Sequence, residues 1–425
     1  MPAFSFVHVA DIHLDSPFVG LEHLEEAHPH VVETLREATF KAFDTVIRLC
    51  IDREVDFLLI AGDVYDAADR SLRAQIRFRD GLAQLSEAGI HSFVVHGNHD
   101  PLDGWTTALR MPERAHVFGK DLQSVSFVKE GEAVACIHGL SYPKRDIGRT
   151  FGRGFQRKGS EQFQIGLFHC NVGGHPGHDP YAPRTREELV ESGLDYWALG
   201  HIHEKLILSP EHPFIGYPGS TQGRQINEDG PRGCFLVRVS AKGEMESKPD
   251  FIPTDAVRWI KKDLDISGLD LMDDLLVSLE YKLNEIQIEA GQHPAVTRVT
   301  LTGRGQLHHS LMRPQDAQYL LSRLRQIGRE QDPFVWVEKL DLHTHPEVDI
   351  DLRRQTPDFL GDLLRLIKEL RASPKQLSQL QGHLQELYGH GRAGRLLEQL
   401  EVEDLSRLLD EVETRCVDRL LGEEE

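Results

Sequence analysis

Five short apolar runs in this chain each stop at a residue that can hold a cation or move a proton, and that coincidence limits the fold more than any other feature. Residues 4–10 run into Asp11-Ile12-His13, residues 56–61 into Gly62-Asp63, and residues 92–95 into His96-Gly97-Asn98-His99-Asp100. Residues 165–168 end in His169, and residues 196–199 in Gly200-His201-Ile202-His203. Short apolar runs bounded by glycine and polar residues read as buried strands. Between the first three, apolar residues recur at helical spacing over about 31–53 and 73–88, the second stretch stopped by Gly89. Strand, helix, strand, helix, strand at short spacing predicts a parallel α/β sheet with right-handed crossovers. Sites in such sheets form beyond the carboxyl ends of the strands, where all these polar residues fall. A single D-x-H, Gly-Asp or strand-end histidine is an ordinary turn; five in chain order are not.

The remaining chain is organised differently. Residues 117–128 and 133–138 read as strands about a turn at Gly131, and 214–217 and 234–239 as antiparallel closing strands. Asp11 with His13, and His201 with His203, are each expected on one face of an extended segment, because alternate residues share a face. After about residue 251 the order is strand (257–264), helix (272–290), strand (296–301), helix (314–328), strand (335–342), which predicts a small separate α/β domain. Beyond Asp349 only helical stripes remain (359–370, 376–388, 405–421), with a break at Gly389-His390-Gly391. The expected division is therefore 1–250, 251–348 and 349–425. The last part is too short and charged to own a large core and is expected to pack on something else, a partner or its own hairpin.

Composition narrows the class. The 425 residues allow two or three domains, and 40% hydrophobic with 27% charged residues describes a globular protein. No apolar run approaches a membrane span, and with residues 4–10 already reading as core no cleavable signal is expected. Five scattered cysteines without a C-x-x-C pair argue against a disulfide framework and a cysteine zinc site, so a cytoplasmic protein is expected. A formal net charge of −20 is the opposite of what a freestanding nucleic-acid binder carries. One basic stretch runs against that balance: Lys144, Arg145, Arg149, Arg153, Arg157 and Lys158, with Asp146 the one acid among them. It reads either as a solvated surface loop or as a contact for a DNA backbone.

The strand-end set is Asp11, His13, Asp63, Asn98, His99, His169, His201 and His203. Carboxylate, imidazole and amide oxygen without thiolate suit manganese, iron or zinc. The set exceeds the roughly three protein ligands of one catalytic ion and is about right for two, with a carboxylate between them. Two ions roughly 3.5–4 Å apart serve phosphate ester hydrolysis, and an imidazole left over beside them can protonate the leaving oxygen. Asp100 can orient either neighbour. His8, His96 and His138 also lie in strand-like runs and are read as satisfied core histidines.

The series Asp11-x-His13, Gly62-Asp63, Gly97-Asn98-His99-Asp100, His169 and Gly200-His201-x-His203 resembles the calcineurin-like metallophosphoesterases. Within them the chain is similar to the DNA double-strand-break repair nucleases of the SbcD type, and especially to a YhaO-like bacterial branch. Three stretches carry the latter: Asp11-Ile12-His13-Leu14-Asp15-Ser16-Pro17-Phe18, His169-Cys170-Asn171-Val172-Gly173-Gly174-His175, and Tyr217-Pro218-Gly219-Ser220-x-Gln222-Gly223-Arg224. The resemblance covers roughly 1–240 with specific motifs and the later domain in outline. It implies a four-layer α+β sandwich with a small α/β capping domain and a helical C-terminal region. It implies one ion on Asp11, His13, Asp63 and His203, a second on Asp63, Asn98, His169 and His201, and His99 as the catalytic histidine; Asp100 beside it is also read as catalytic. Archaeal and eukaryotic members carry a histidine three residues after the bridging aspartate; here that position is Asp66, and the histidine's role is not carried over. The resemblance further implies manganese-dependent cleavage of DNA from 3′ ends, an SMC-like coiled-coil ATPase held by the C-terminal helices, and a homodimer. A small-nucleotide phosphodiesterase or phosphatase with the same core, or a scaffold protein regulating an ATPase, are the alternatives.

Overall fold

The structure, a computed structural model, describes residues 1–18, 28–66, 68, 71–104, 109–145, 147, 151–158, 163–173, 182–388, 400 and 402–421. The first part of the chain forms β1 (Phe4–Val9), α1 (Pro29–Asp52), β2 (Phe57–Ala61), α2 (Leu72–Glu87), β3 (His91–Val95) and β4 (Ala115–Val117). There follow β5 (Gln123–Lys129), β6 (Glu132–Gly139), β7 (Phe163–His169), α3 (Arg186–Glu191), β8 (Tyr196–Gly200), β9 (Leu206–Ser209), β10 (Phe214–Tyr217), β11 (Gly233–Val239) and β12 (Asp250–Pro253). The rest is β13 (Arg258–Asp265), α4 (Met272–Ala290), β14 (Ala295–Arg304), α5 (His308–Leu311), α6 (Pro314–Glu330), β15 (Val335–His345), α7 (Ile350–Arg354), α8 (Phe359–Ala372), α9 (Pro374–Tyr388) and α10 (Val402–Leu421).

Two six-stranded sheets dominate, in the orders β12-β11-β1-β2-β3-β4 and β5-β6-β7-β8-β10-β9. β1, β2, β3 and β4 run parallel, and so do β6, β7 and β8, so both sheets deliver their carboxyl ends to the same rim. β2 is buried on both faces, which is why it reads as an unbroken apolar run. Its Phe57 and Leu59 join Phe6, Ile165 and Tyr196 in a core between the sheets; Leu58 and Ile60 pack with Phe40, Phe43 and Phe78 of α1 and α2 on the outer face. The second sheet turns Phe168, Trp197 and Leu199 outward onto Phe155 and Leu189. Helices, sheet, sheet, helix: four layers result.

Three expectations need correction. Residues 117–128 are two strands, not one: residues 118–122 carry the chain from β4 in the first sheet to β5 in the second. The run looks continuous because Val117, Phe118, Val125, Phe127 and Val128 are all apolar. β10 runs parallel to β8 and antiparallel to the intervening β9, a short strand absent from the sequence reading. Lastly, Asp11 and His13 are not on an extended segment; both have positive φ (50° and 46°), as does His201 (103°).

By compactness the chain divides into Met1–Lys262 with Leu283–Arg298 and Arg325–Lys339, and Asp263–Lys282 with Val299–Leu324 and Leu340–Glu425. A three-stranded sheet has the order β13-β14-β15. In the second unit α8, α9 and α10 pack on one another through Ile367, Leu377, Leu405 and Leu409, with a second cluster of Leu360, Leu364 and Val417. The expected break at 389–391 lies outside the described residues.

Candidate metal centre at the strand ends

Backbone pairing holds the rim together. Asp11 N–H donates to Gly62 O (3.1 Å), His13 N–H to Asp63 O (3.0 Å) and Leu14 N–H to Val64 O (2.8 Å), so the chain leaving β1 stays beside the chain leaving β2. His201 N–H donates to both carboxylate oxygens of Asp11 (3.1 Å each), joining β8 of the second sheet to β1 of the first. Asp63 too has positive φ (51°). Left-handed backbone is unfavourable for residues with a Cβ and gathers at functional sites; four of the residues named from sequence show it. The glycines of the motifs answer to close approach. A Cβ on Gly97 would lie 2.2 Å from Asp63 Oδ1, and one on Gly62, itself at φ +90°, would lie 2.4 Å from His169 Nδ1.

Around this frame the predicted residues converge. His13 Nε2 is 3.3 Å from His203 Nε2 and 3.8 Å from Asp63 Oδ2. His169 Nε2 is 2.9 Å from Asn98 Oδ1 and 3.4 Å from the same Asp63 oxygen. The His201 ring meets the His169 ring edge-on, centroids 5.3 Å apart. Asp63 therefore sits between two groups of donors, one with His13 and His203, the other with His169 and Asn98. Asp11, His13 and His203, and separately Asp11, Asp63 and His169, each bring one ligand atom within 4.8 Å of the others.

The outward-facing ring nitrogens decide what the inward ones can do. His13 Nδ1 is 3.3 Å from Asp66 Oδ2, His203 Nδ1 2.8 Å from Glu228 Oε1, and His169 Nδ1 2.9 Å from Ala61 O. An acceptor at Nδ1 fixes the proton there and leaves Nε2 with a lone pair, the tautomer in which imidazole binds a metal. With two buried carboxylates beside these lone pairs, the donor set fits a pair of divalent ions. The electrostatics agree. Burial pushes the Asp11 carboxyl up to about 6, against the pull of His203 and His169. Burial would lower His169, yet Asp63 and Asp11 outweigh it and raise it to about 9. Burial and then Arg224 lower His13 to about 4. Burial alone would raise the Asp63 carboxyl, but the imidazoles of His169, His13 and His99 hold it well below the usual range. The carboxylates create a field that calls for positive charge.

His99 stands apart. Its side chain is 37% exposed, against 2% or less for Asp11, His13, Asp63 and His169. Its N–H donates to Asp63 Oδ1 (2.9 Å), and its Nδ1 pairs closely with Asp66. Burial would lower its pKa, but Asp66 and Asp63 raise it above the ordinary value. Asp66, which also takes the Ser16 hydroxyl, thus joins a donor of the centre to the exposed histidine. Sequence alone gives Asp66 no role and does not single out Glu228, since neither ends a strand. Two acids that orient ring nitrogens are visible only once 13, 66 and 99, or 203 and 228, meet in space.

Asp100 takes a place other than the catalytic one expected. Both its oxygens are occupied: Oδ1 by the N–H groups of Asp63 (3.2 Å) and Gly97 (2.7 Å), Oδ2 by Val64 N–H (2.9 Å) and His96 Nδ1 (2.9 Å). It is buried and holds the two turns in register, a positioning role. His8 pairs with Tyr196 OH and Leu199 O, and His138 with Ser124 Oγ and Gln164 Oε1, as core histidines should.

The basic stretch resolves unevenly. Lys144, Arg145, Arg153 and Lys158 are exposed; Arg149 lies outside the described residues. Arg157 is committed to the fold, its Nη2 donating to both oxygens of Asp195 and its Nε to Gly193 O (2.8 Å). Nor is the stretch wholly solvated, because Phe155 is buried against Phe168 (5.3 Å) and Trp197 (5.0 Å). Among the described residues no helix is long and apolar enough to cross a membrane.

Comparison with known proteins agrees with this geometry. Residues 4–205 match the calcineurin-like phosphoesterase family, and residues 259–345 the middle domain of metallophosphoesterase YhaO. The uncharacterized metallophosphoesterase YhaO of Bacillus subtilis (strain 168) is 37% identical over 348 residues, 81% of this chain and 83% of that protein. The DNA double-strand break repair protein Mre11 of Methanosarcina acetivorans is 28% identical over 55% of this chain but 38% of its own length. The smaller similarity to a component of the nuclease SbcCD of Bacillus subtilis (strain 168) is 24% identity over 56% of this chain and 66% of that protein. A rim of converging imidazoles and carboxylates on a two-sheet frame, with a match across most of YhaO, makes this chain a member of the calcineurin-like metallophosphoesterases, hydrolases of phosphoester bonds, with a YhaO-type middle domain.

Proposed function

We propose that the chain is a manganese-dependent DNA nuclease. One observation carries the chemistry: His13, His169 and His203 each have Nδ1 anchored on an outer acceptor while Nε2 turns toward Asp63 or a second donor. On this reading Asp11, His13, Asp63 and His203 hold one ion, and Asp63, Asn98, His169 and His201 the other. When bound, such a pair lowers the pKa of water and neutralises charge on the phosphoryl oxygens. His99, partly exposed and with its pKa raised by Asp66, donates a proton to the leaving oxygen. Asp66 keeps the His99 ring in place through Nδ1. Asp100 fixes the turn that carries Asn98 and His99.

DNA as substrate is supported by the likeness to Mre11 and to the SbcCD nuclease, and by the exposed cations Lys144, Arg145, Arg153 and Lys158. Residues 1–250 are then the nuclease domain, 251–348 its cap, and 349–425 the region that binds an SMC-like ATPase. Exposed Phe359, Leu366 and Leu408 on α8 and α10 suit such docking. The net charge of −20 favours a second reading, hydrolysis of a small nucleotide by the same centre. The test is end-labelled duplex and single-stranded DNA with Mn²⁺, comparing wild type, His99→Ala and chelator. Cleavage falling about 10²- to 10⁴-fold in the variant, with manganese retained, is expected for a lost general acid. Intact DNA alongside His99-dependent hydrolysis of cyclic nucleotides would transfer the function to the second reading.

A further inference from the structure

Arg224 closes the segment Tyr217-Pro218-Gly219-Ser220-Thr221-Gln222-Gly223-Arg224, and it neither holds an ion nor moves a proton in the reaction proposed. The segment is braced from several sides. Gln222 Oε1 accepts from Ala256 N–H (2.7 Å) and Val257 N–H (3.1 Å), and Trp259 Nε1 donates to Gly223 O (3.0 Å). Arg224 N–H donates to Glu228 Oε2 (2.8 Å), while the other oxygen of Glu228 anchors His203. The arginine is thus fixed to the same acid that orients a donor of the metal centre.

Its guanidinium is the anomaly. The side chain is 15% exposed, its Nη1 lies 3.6 Å from Asp66 Oδ2, and its Nε is buried without a partner. Among the described residues the guanidinium makes no hydrogen bond. Asp66 meets it only as an ion pair at 3.6 Å, its Oδ2 already accepting from Ser16 and His13 and its Oδ1 pairing with His99. A largely enclosed cation whose Nε has no partner and whose Nη1 has only a 3.6 Å ion pair is costly unless a ligand completes it. The guanidinium fork matches the oxygens of a phosphate.

We propose that Arg224 binds a non-bridging oxygen of the reacting phosphate, from the side of the centre occupied by Asp66, His13 and His99. The inference deepens the proposed reaction and rests on it. The phosphate is then held on one side by the ions and on the other by a fixed fork, with the leaving oxygen toward His99.

The test uses the full chain loaded with Mn²⁺, as wild type, Arg224→Ala, Arg224→Lys and Arg224→Gln. Bound manganese, calorimetric binding of inorganic phosphate, and kcat and KM on bis-p-nitrophenyl phosphate are measured. In Arg224→Ala, manganese content stays at the wild-type level while phosphate Kd and KM rise about 10- to 100-fold, the range of a lost charge-assisted hydrogen bond. Lysine recovers part of the loss; glutamine, similar in length without charge, does not, and it stands in if alanine fails to fold. Unchanged phosphate binding, or a manganese content that falls in step with activity, would overturn the inference by making Arg224 a mere support for Asp66. So would an effect on DNA that is absent with the small ester. Phosphate binding that depends on Arg224 in a wild type without DNA cleavage would sink the nuclease reading and leave this one standing.

Discussion

The bodies of the strands and their ends treat the same side chain in opposite ways. His8 in β1 and His169 at the tip of β7 are both fully buried. His8 has partners at both nitrogens, Tyr196 OH and Leu199 O, and burial lowers its pKa to about 3 despite the Leu199 carbonyl. His169 has one nitrogen on Ala61 O and the other facing Asn98 and Asp63, and its pKa rises to about 9. Burial therefore does not mark a site. What marks it is a nitrogen kept out of the backbone network and set beside carboxylates that fold toward one another.

The contrast breaks most sharply at Asp63. Asp63→Asn removes the charge between the two donor groups, and we expect hydrolysis of bis-p-nitrophenyl phosphate to fall to the level of chelated wild type, with manganese lost on desalting. Retained metal and turnover would mean that the rim is no more specialised than the strand bodies. A smaller effect is expected one layer out. Glu228→Gln keeps the shape but withdraws the carboxylate from His203 Nδ1, which should weaken Mn²⁺ binding about 10- to 100-fold by calorimetry, with the fold intact. Binding equal to wild type would show that the outer acceptors are ornamental.

A last effect concerns the strand bodies and reads as stability rather than activity. Because the folded-state pKa of His8 lies below its ordinary 6.5, the unfolded chain takes up the proton first as pH falls. Its contribution is full above 6.5 and is lost at up to about 1.4 kcal/mol per pH unit down toward 3. His8→Gln should flatten the fall of urea midpoint between pH 7 and 5. An identical slope in the variant would assign acid sensitivity to other groups, His138 among them, whose pKa is also lowered by burial.

These regions were not equally legible in the sequence. The ends of strands announced themselves because glycine, carboxylate and imidazole there interrupt apolar runs, and the helices because Gly89, Pro314 and Pro374 bound them. α3 carried a readable signal that was passed over: Thr185 and Glu188 form a capping box. The roles of Asp66, Glu228 and Arg224 could not be found by pattern, since they lie in contacts between residues 25 to 158 positions apart. Asp100 is legible as an orienting group, but not what it holds: its carboxylate faces three backbone N–H groups and His96 Nδ1 behind the turn. Strand direction was equally out of reach for β10, because nothing in its composition tells which neighbour it will pair with.

The left-handed backbone at Asp11, His13, Asp63 and His201 has a consequence for anyone breeding a sturdier version of this protein. Each such residue is unfavourable by on the order of 1 kcal/mol, and glycine or asparagine would relieve it. Replacing Asp11 or Asp63 would also ease the crowding of two buried carboxylates. A selection scored on heat resistance alone would therefore erode these four positions first, and its winners would be robust proteins with an empty rim.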